Sequence, residues 1–66
     1  MEVSNIIKGL QIIQKSKPKE ASDYHLRTNY TEIYAGSLDW EMSVEDKKRM
    51  AELGWESCSD GWRALI

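Results

Sequence analysis

The apolar residues of the first fifteen positions recur at helical spacing. They form one stripe, widened by Ile12, whose members are Val3, Ile6, Ile7, Leu10 and Ile13. This spacing predicts a helix from residue 3 to 15. Gly9 lies inside the helix and weakens it by about 1 kcal/mol relative to alanine, so tertiary packing must offset that loss unless a neighbour approaches the backbone there. Pro18 disfavours a helical conformation at Lys17, which predicts an exposed linker.

The next segment, "YHLRTNYTEIYAG", alternates β-branched and aromatic residues with polar ones, a pattern typical of a β-hairpin. We place its turn at Asn29 and Tyr30. In that register Leu26 pairs with Ile33, and Arg27 pairs with Glu32. The side chains expected on the inward face are Tyr24, Leu26, Ile33 and Ala35. The side chains expected on the outward face are His25, Arg27, Glu32 and Tyr34.

A second helix is marked at both of its ends. Ser43 is a favourable N-cap residue, and acidic residues occupy the first turn. Gly54 is expected as the left-handed residue that ends the helix. Trp55 then follows as the residue that packs back on Met50, the contact that accompanies a Schellman motif.

The last segment contains Asp60-Gly61, one of the strongest two-residue hairpin signals. A turn there pairs Ser59 with Trp62, Ser57 with Ala64 and Trp55 with Ile66. The expected inward face holds Trp55, Trp62, Ala64 and Ile66. The opposite face holds Glu56, Cys58, Arg63 and Leu65. Because large apolar patches are rarely left open to solvent, the two tryptophans are interpreted as core rather than as a binding surface.

The sequence therefore predicts an α+β fold with the order helix, hairpin, helix, hairpin (αββαββ). Its simplest form is a four-stranded, mainly antiparallel sheet with both helices on one face. We expect residues 1–66 to form a single domain, since a chain of this length supports one core.

The chain carries nine Lys and Arg against eleven Asp and Glu, a net charge of −2. Non-specific attraction to phosphate backbones is thus absent, and direct nucleic-acid binding is not expected. The interrupted apolar pattern of the first residues predicts neither a signal peptide nor a membrane span. Cys58 is the single cysteine, which favours a reducing, cytoplasmic setting and leaves a monomer and a homodimer both open.

The sequence contains no motif that indicates a catalytic site. One histidine and one cysteine exclude zinc sites of the Cys and His kind, and neither a P-loop nor a G-x-G-x-x-G motif is present. A Cys58–His25 dyad lacks a third orienting group and an oxyanion loop. We therefore expect neither an enzyme nor a bound metal or cofactor.

The run "SLDWEMSVED" is the first candidate for a partner-binding surface. It spans residues 37 to 46 and carries four acidic residues with no positive charge among them. The expected binding residues are Asp39, Trp40, Glu41, Glu45 and Asp46. Apolar Leu38, Trp40 and Met42 alternate with the acids, so an extended segment can anchor one side and present carboxylates on the other. An ordinary solvated loop leading into a capped helix is the alternative.

The outward face of the sheet is the second candidate. His25, Arg27, Glu32 and Tyr34 lie on it, together with Arg63 of the closing hairpin. Aromatic and arginine side chains on an open sheet face can stack on single-stranded bases, which makes a small nucleic-acid-binding module the alternative function.

The segment from Tyr30 to Leu65 resembles small accessory proteins of phages and other mobile elements. The residues that carry the resemblance are Ser43, Glu45, Asp46, Leu53, Gly54, Trp55 and Trp62. The chain departs from that pattern at Tyr30 and Thr31, where similar sequences carry a His-Asp pair. The resemblance implies a protein that acts in the cytoplasm of a host cell by binding and blocking host machinery, as anti-CRISPR inhibitors do. The implied partner is a host protein, such as a nucleic-acid-binding defence component.

Overall fold

A computed structural model describes residues 1–21, 26–58 and 61–66. Helix α1 spans Val3–Ser16 and helix α2 spans Val44–Glu52. The strands are β1 (Leu26–Thr28), β2 (Glu32–Ala35), β3 (Glu56–Cys58) and β4 (Gly61–Leu65). They form one antiparallel sheet in the order β1-β2-β4-β3. The expectation of an α+β fold with a four-stranded antiparallel sheet is confirmed.

The register predicted for the first hairpin is wrong by two residues. Leu26 pairs with Ala35, not with Ile33, and Arg27 pairs with Tyr34. The reason lies in Asn29, whose N–H donates to the carbonyl oxygen of Glu32 at 3.0 Å while its side-chain oxygen accepts from the N–H of Thr31 at 3.1 Å. Asn29 thus remains on the ladder and holds the turn with its side chain, an Asx-type arrangement. Tyr24, predicted to face inward, lies outside the described residues.

The register of the second hairpin is also shifted by two residues. Ser57 pairs with Trp62, not with Ala64, and Cys58 pairs with Gly61. Gly61 therefore belongs to strand β4 rather than to the predicted turn. Ser59 and Asp60 lie outside the described residues.

Close packing of backbone explains the glycine at position 61. A Cβ there would lie 2.9 Å from the carbonyl carbon of Gly36 and 3.0 Å from the carbonyl oxygen of Ala35. Real Cβ atoms seldom approach backbone this closely, so β4 can lie beside the end of β2 only if residue 61 has no side chain.

Both register shifts are even, so the assignment of residues to the two sheet faces survives them. Trp62 and Ala64 are buried, as predicted, and so is Trp55, at 2% exposure. Two residues predicted to point to the core are not buried. Leu26 lies on the inward face, opposite Ala35, but on the edge strand β1, and Ile66 follows the end of β4, so both are more than half exposed. The buried cluster consists of Ile13, Ala35, Met50, Leu53, Trp55, Trp62 and Ala64.

The close approach that would justify Gly9 is present. The indole ring of Trp55 lies against α1 where a Cβ of residue 9 would stand, with Cδ1 2.7 Å from that position. The indole Nε1–H donates to the carbonyl oxygen of Asn5 at 3.1 Å. The glycine thus lowers the helix propensity of α1, but its missing side chain leaves the space in which the Trp55 indole packs.

Helix α2 has the caps that its sequence predicts. The Ser43 hydroxyl oxygen accepts from the N–H of Asp46 at 3.1 Å. Gly54 has φ of 93°, and its N–H donates to Ala51 while the N–H of Trp55 donates to Met50. This bond pattern is the Schellman motif, and it directs the chain from α2 into β3.

Among residues 1–21, 26–58 and 61–66, no helix combines the length and the apolar character required to cross a bilayer.

Candidate functional site

The acidic segment, residues 37–46, connects β2 to α2 and begins with a turn built on Ser37. The Ser37 hydroxyl oxygen accepts from the N–H of Asp39 at 3.1 Å, and its carbonyl oxygen accepts from the N–H of Trp40 at 3.2 Å. Trp40 and Met42 pack against the buried cluster, whereas Leu38 remains 49% exposed. Two of the three apolar residues predicted to anchor the segment therefore do so, and the third is left at the surface.

The four carboxylates of the segment divide into two groups. Asp46 is half-buried and forms an ion pair with Lys15 of α1 at 3.1 Å, so it braces the two helices together. Asp39, Glu41 and Glu45 are exposed, and within the described part of the chain none of them forms an ion pair. The freely presented charge of the segment is therefore −3 rather than the −4 counted from its sequence.

Two adjoining grooves flank this segment. The first has a volume of about 580 Å³, and its lining comes from residues 38–43 and Lys47. The second, of about 540 Å³, shares Leu38, Trp40, Met42 and Lys47 with the first and continues to Glu56 and Ser57 of β3. Trp62 of β4 also lines the second groove. The apolar side chains of the acidic segment thus line both grooves, as does Lys47, whereas Asp39 and Glu41 line the first groove.

A third groove, of about 340 Å³, lies between α1 and the first hairpin. Its apolar lining comes from both elements and from Trp40, with Gln11, Gln14 and Lys17 as the polar lining residues. Among the described residues that line this groove there is no carboxylate, so this lining does not share the electrostatic character of the acidic segment.

The outward face of the sheet holds a network of paired side chains. The Tyr34 hydroxyl donates to Glu32 Oε2, and Arg63 lies between Glu32, at 3.5 Å, and Glu56, with which it forms a short ion pair. The guanidinium of Arg27 stands over the Tyr34 ring, 4.8 Å from its centroid. Two arginines and two glutamates make the described part of this face electrically neutral.

The same contacts shift the pKa values of Glu32, Tyr34 and Arg63 on this face. The hydrogen bond from Tyr34 lowers the pKa of the Glu32 carboxyl below its ordinary value, with Arg63 acting in the same direction. The bond to Glu32 raises the pKa of Tyr34, and the bond to Glu56 raises the pKa of Arg63. Each of these shifts stabilises the charge state that the network already holds, as expected for mutually satisfied partners.

This network leaves few free groups for recognition of bases. One face of the Tyr34 ring is covered by Arg27, and Arg63 is engaged by two carboxylates. His25, which the sequence assigns to this face, lies outside the described residues. Of the residues predicted for this face, the structure thus brings Arg27, Glu32 and Tyr34 together. Their polar groups contact one another and are therefore engaged within the protein.

Sequence reasoning missed three features of these surfaces. The Glu56–Arg63 pair was hidden because the predicted register placed Arg63 opposite Cys58. The Lys15–Asp46 pair joins residues 31 apart in sequence, and no local pattern marks it. Lys47, in contrast, follows Ser43 by one helical turn, so its place beside the acidic segment could have been read from helical spacing.

No metal site emerges from the geometry: residues 1–21, 26–58 and 61–66 contain no group of three His, Cys, Asp or Glu side chains placed to hold an ion. Cys58 is a half-buried free thiol on β3. Comparisons with protein-family models, curated proteins and solved structures find no match to this chain.

Proposed function

We propose that this chain is a small acidic interaction protein of phage or mobile-element type that binds and blocks a basic surface on a host protein. The observation that carries the proposal is the group of three exposed carboxylates, Asp39, Glu41 and Glu45, which form no ion pair within the described residues. Asp39 and Glu41 line a groove together with Leu38, Trp40 and Met42. An apolar centre with a charged rim is the usual anatomy of a protein interface, and aromatic and Met side chains are enriched there.

The nature of the blocked surface follows from charge. A site on a host protein that binds nucleic acid carries lysine and arginine at phosphate spacing, and a chain that presents carboxylates can compete for it. In this proposal the chain acts as an anti-CRISPR inhibitor does, by occupying a surface in the host cytoplasm without catalysing a reaction.

The packing of the helices supports the choice of surface. We infer that α1 and α2 lie on the same sheet face, because Ile13 of α1 and Met50 of α2 share one buried cluster with Trp62 and Ala64 of β4. The opposite face, with Arg63 and Tyr34, then remains open. Since its charged groups are paired with one another, it offers a partner less electrostatic attraction than the acidic segment does.

The test compares two double variants with the same change in net charge. Asp39→Lys/Glu41→Lys reverses the acidic segment, whereas Glu2→Lys/Glu20→Lys reverses two exposed acids elsewhere. Each protein is immobilised, exposed to bacterial extract, and the retained proteins are identified by mass spectrometry. We expect a basic protein that is retained by the wild type and by the Glu2/Glu20 variant but lost with the Asp39/Glu41 variant.

Association rates measured with the purified partner then test whether the charges of the acidic segment accelerate binding. The wild-type rate should fall as salt rises, because a Debye length of about 8 Å at physiological ionic strength screens the rim charges. Reversal of Asp39 and Glu41 should slow association by about tenfold or more at low salt. Equal rates for both double variants across the salt range would exclude the acidic segment as the binding surface. A gel shift of single-stranded probes by the chain alone would favour the sheet face instead.

A further inference from the structure

We infer that the partner presents an extended strand, which pairs with the open edge of β3 and places its side chains in the groove beside the acidic segment. This inference rests on the proposed function and specifies the kind of segment that the surface binds. It starts from the sheet order, in which β3 is an edge strand: within the described part of the chain its only ladder partner is β4. Every second residue of such a strand directs its N–H and C=O away from the sheet, where they can accept a further strand.

The groove continues from this edge. Ser57 of β3 and Trp62 of β4 lie opposite each other on the same sheet face, and both line the 540 Å³ groove. A strand added beside β3 continues that face, so every second side chain of the added strand enters the groove and meets Leu38 and Met42. Leu38 is the residue that the fold leaves half exposed there.

Charge complementarity selects the remaining side chains of the added strand. Asp39 and Glu41 line the adjoining 580 Å³ groove and form no ion pair within the described residues. Glu56, which lines the 540 Å³ groove, is already held by Arg63. Lys47 lines both grooves and adds one positive charge to the surface. The surface therefore fits a segment in which apolar residues alternate with arginine or lysine, and it discriminates against acidic strands.

The probe is a capped ten-residue peptide of alternating arginine and valine, titrated into the wild-type protein at low salt. Two further peptides carry N-methyl groups, one on all arginine amides and the other on all valine amides. Because alternate amides of a strand point in opposite directions, strand pairing predicts that one of these two peptides loses at least tenfold in affinity while the other binds nearly as well as the parent. Amide shifts in β3, followed by NMR, should accompany binding of the parent peptide.

The groove is tested separately with a peptide of alternating arginine and glycine. It carries the same charge but no apolar side chains, so it should bind several-fold more weakly than the parent peptide. Leu38→Ala should weaken binding of the arginine–valine peptide and leave that of the arginine–glycine peptide unchanged. Leu38 is half exposed, so this variant keeps the fold.

The outcomes distinguish the two proposals. Equal affinity for all the peptides, with weaker binding to Asp39→Lys/Glu41→Lys, would overturn strand pairing and leave the acidic interaction surface standing. No binding of any peptide to the wild type would also overturn strand pairing, while the extract experiment still decides the proposed function. Equal affinity of the peptides for the wild type and for the Asp39/Glu41 variant would count against both.

Discussion

Trp55 and Gly9 are fitted to each other: the indole ring occupies the space that a side chain at residue 9 would fill. The ring is 2% exposed, and its N–H donates to the backbone of the same helix, at Asn5. Burial of a tryptophan leaves its N–H in need of a partner, and here a helix carbonyl supplies it. The contact fixes α1 to the junction between α2 and β3.

Gly9→Ala should destabilise the protein even though alanine is the better helix former by about 1 kcal/mol. The added methyl group overlaps the indole ring, and overpacking of this kind typically costs about 1–3 kcal/mol. After the gain in helix propensity, this leaves a net loss of up to about 2 kcal/mol. Urea unfolding followed by tryptophan fluorescence measures the change. Gln11→Ala, at an exposed position of the same helix, is the matched control. A Gly9→Ala protein more stable than the wild type would show that the ring can move aside at no cost.

Gly61→Ala tests the backbone contact between β4 and β2. The new Cβ would stand 2.9 Å from the carbonyl carbon of Gly36, and backbone cannot yield as a flexible side chain does. We expect a loss of about 1 kcal/mol or more in the free energy of unfolding. Thermal unfolding followed by circular dichroism provides the measurement, with Ala64→Gly as a comparison that removes a methyl group from the same strand. An unchanged melting temperature for Gly61→Ala would contradict the close approach of the two strands.

Ser43→Ala should remove the N-cap of α2 and cost about 1 kcal/mol. The N–H of Asp46 then loses its acceptor, while Glu45 and Asp46 still favour the helix start through their charge. Ser4→Ala, at an exposed position within α1, should be close to neutral. Denaturation midpoints of the two variants decide the matter: equal midpoints would mean that the Ser43 hydroxyl does not cap the helix in solution.

Tyr34→Phe should raise the pKa of Glu32 towards its ordinary value near 4.5, because the hydroxyl that holds the carboxylate is the largest cause of its lowered pKa. A lowered folded-state pKa means that Glu32 contributes stability above the unfolded-state value, and that this contribution is lost as pH falls through the folded-state pKa. The variant should therefore lose less stability than the wild type on acidification below about pH 4.5. NMR titration of the Glu32 side chain measures the pKa directly.

Tyr30→Phe supplies the control for that titration. Tyr30 is fully exposed at the tip of the first hairpin and lacks any bond to Glu32. Its substitution should leave the titration of Glu32 where it is in the wild type. If Tyr30→Phe and Tyr34→Phe gave the same Glu32 pKa, the hydrogen bond on the sheet face would not hold in solution.

Local signals in the sequence predicted the parts of the fold that depend on neighbouring residues. Ser43 and Gly54 marked the ends of α2 because caps act within one turn of the chain. The hairpin registers failed because Asn29 and Gly61 each have two possible uses. Asn favours a turn position or an Asx bond beside it, and Gly favours a turn or a close approach of strands. Only the partner strand decides between the two uses.

The candidate site shows the same division. Exposure of Asp39 and Glu41 was expected from an unbroken run of acids, and it is found. The ion pair between Asp46 and Lys15, which removes Asp46 from the freely presented charges, could not be predicted. It depends on how the two helices lie side by side. The groove beside β3 could not be predicted from the sequence either, because it forms only where a loop, a helix and a strand edge meet in space.

The bond from Trp55 to Asn5 also bears on the order in which the molecule assembles. It joins residues 50 apart, whereas the hairpins and α2 close over short stretches. Loop closure over such a span is costly before other contacts exist, and a 14-residue helix with an internal glycine is marginal by itself. We therefore expect the first helix of the chain to be the last to dock, with φ-values near zero for Ile13→Val and higher ones for Ala64→Gly. During unfolding we expect the reverse order: α1 detaches first and exposes the core to solvent while the sheet is still formed.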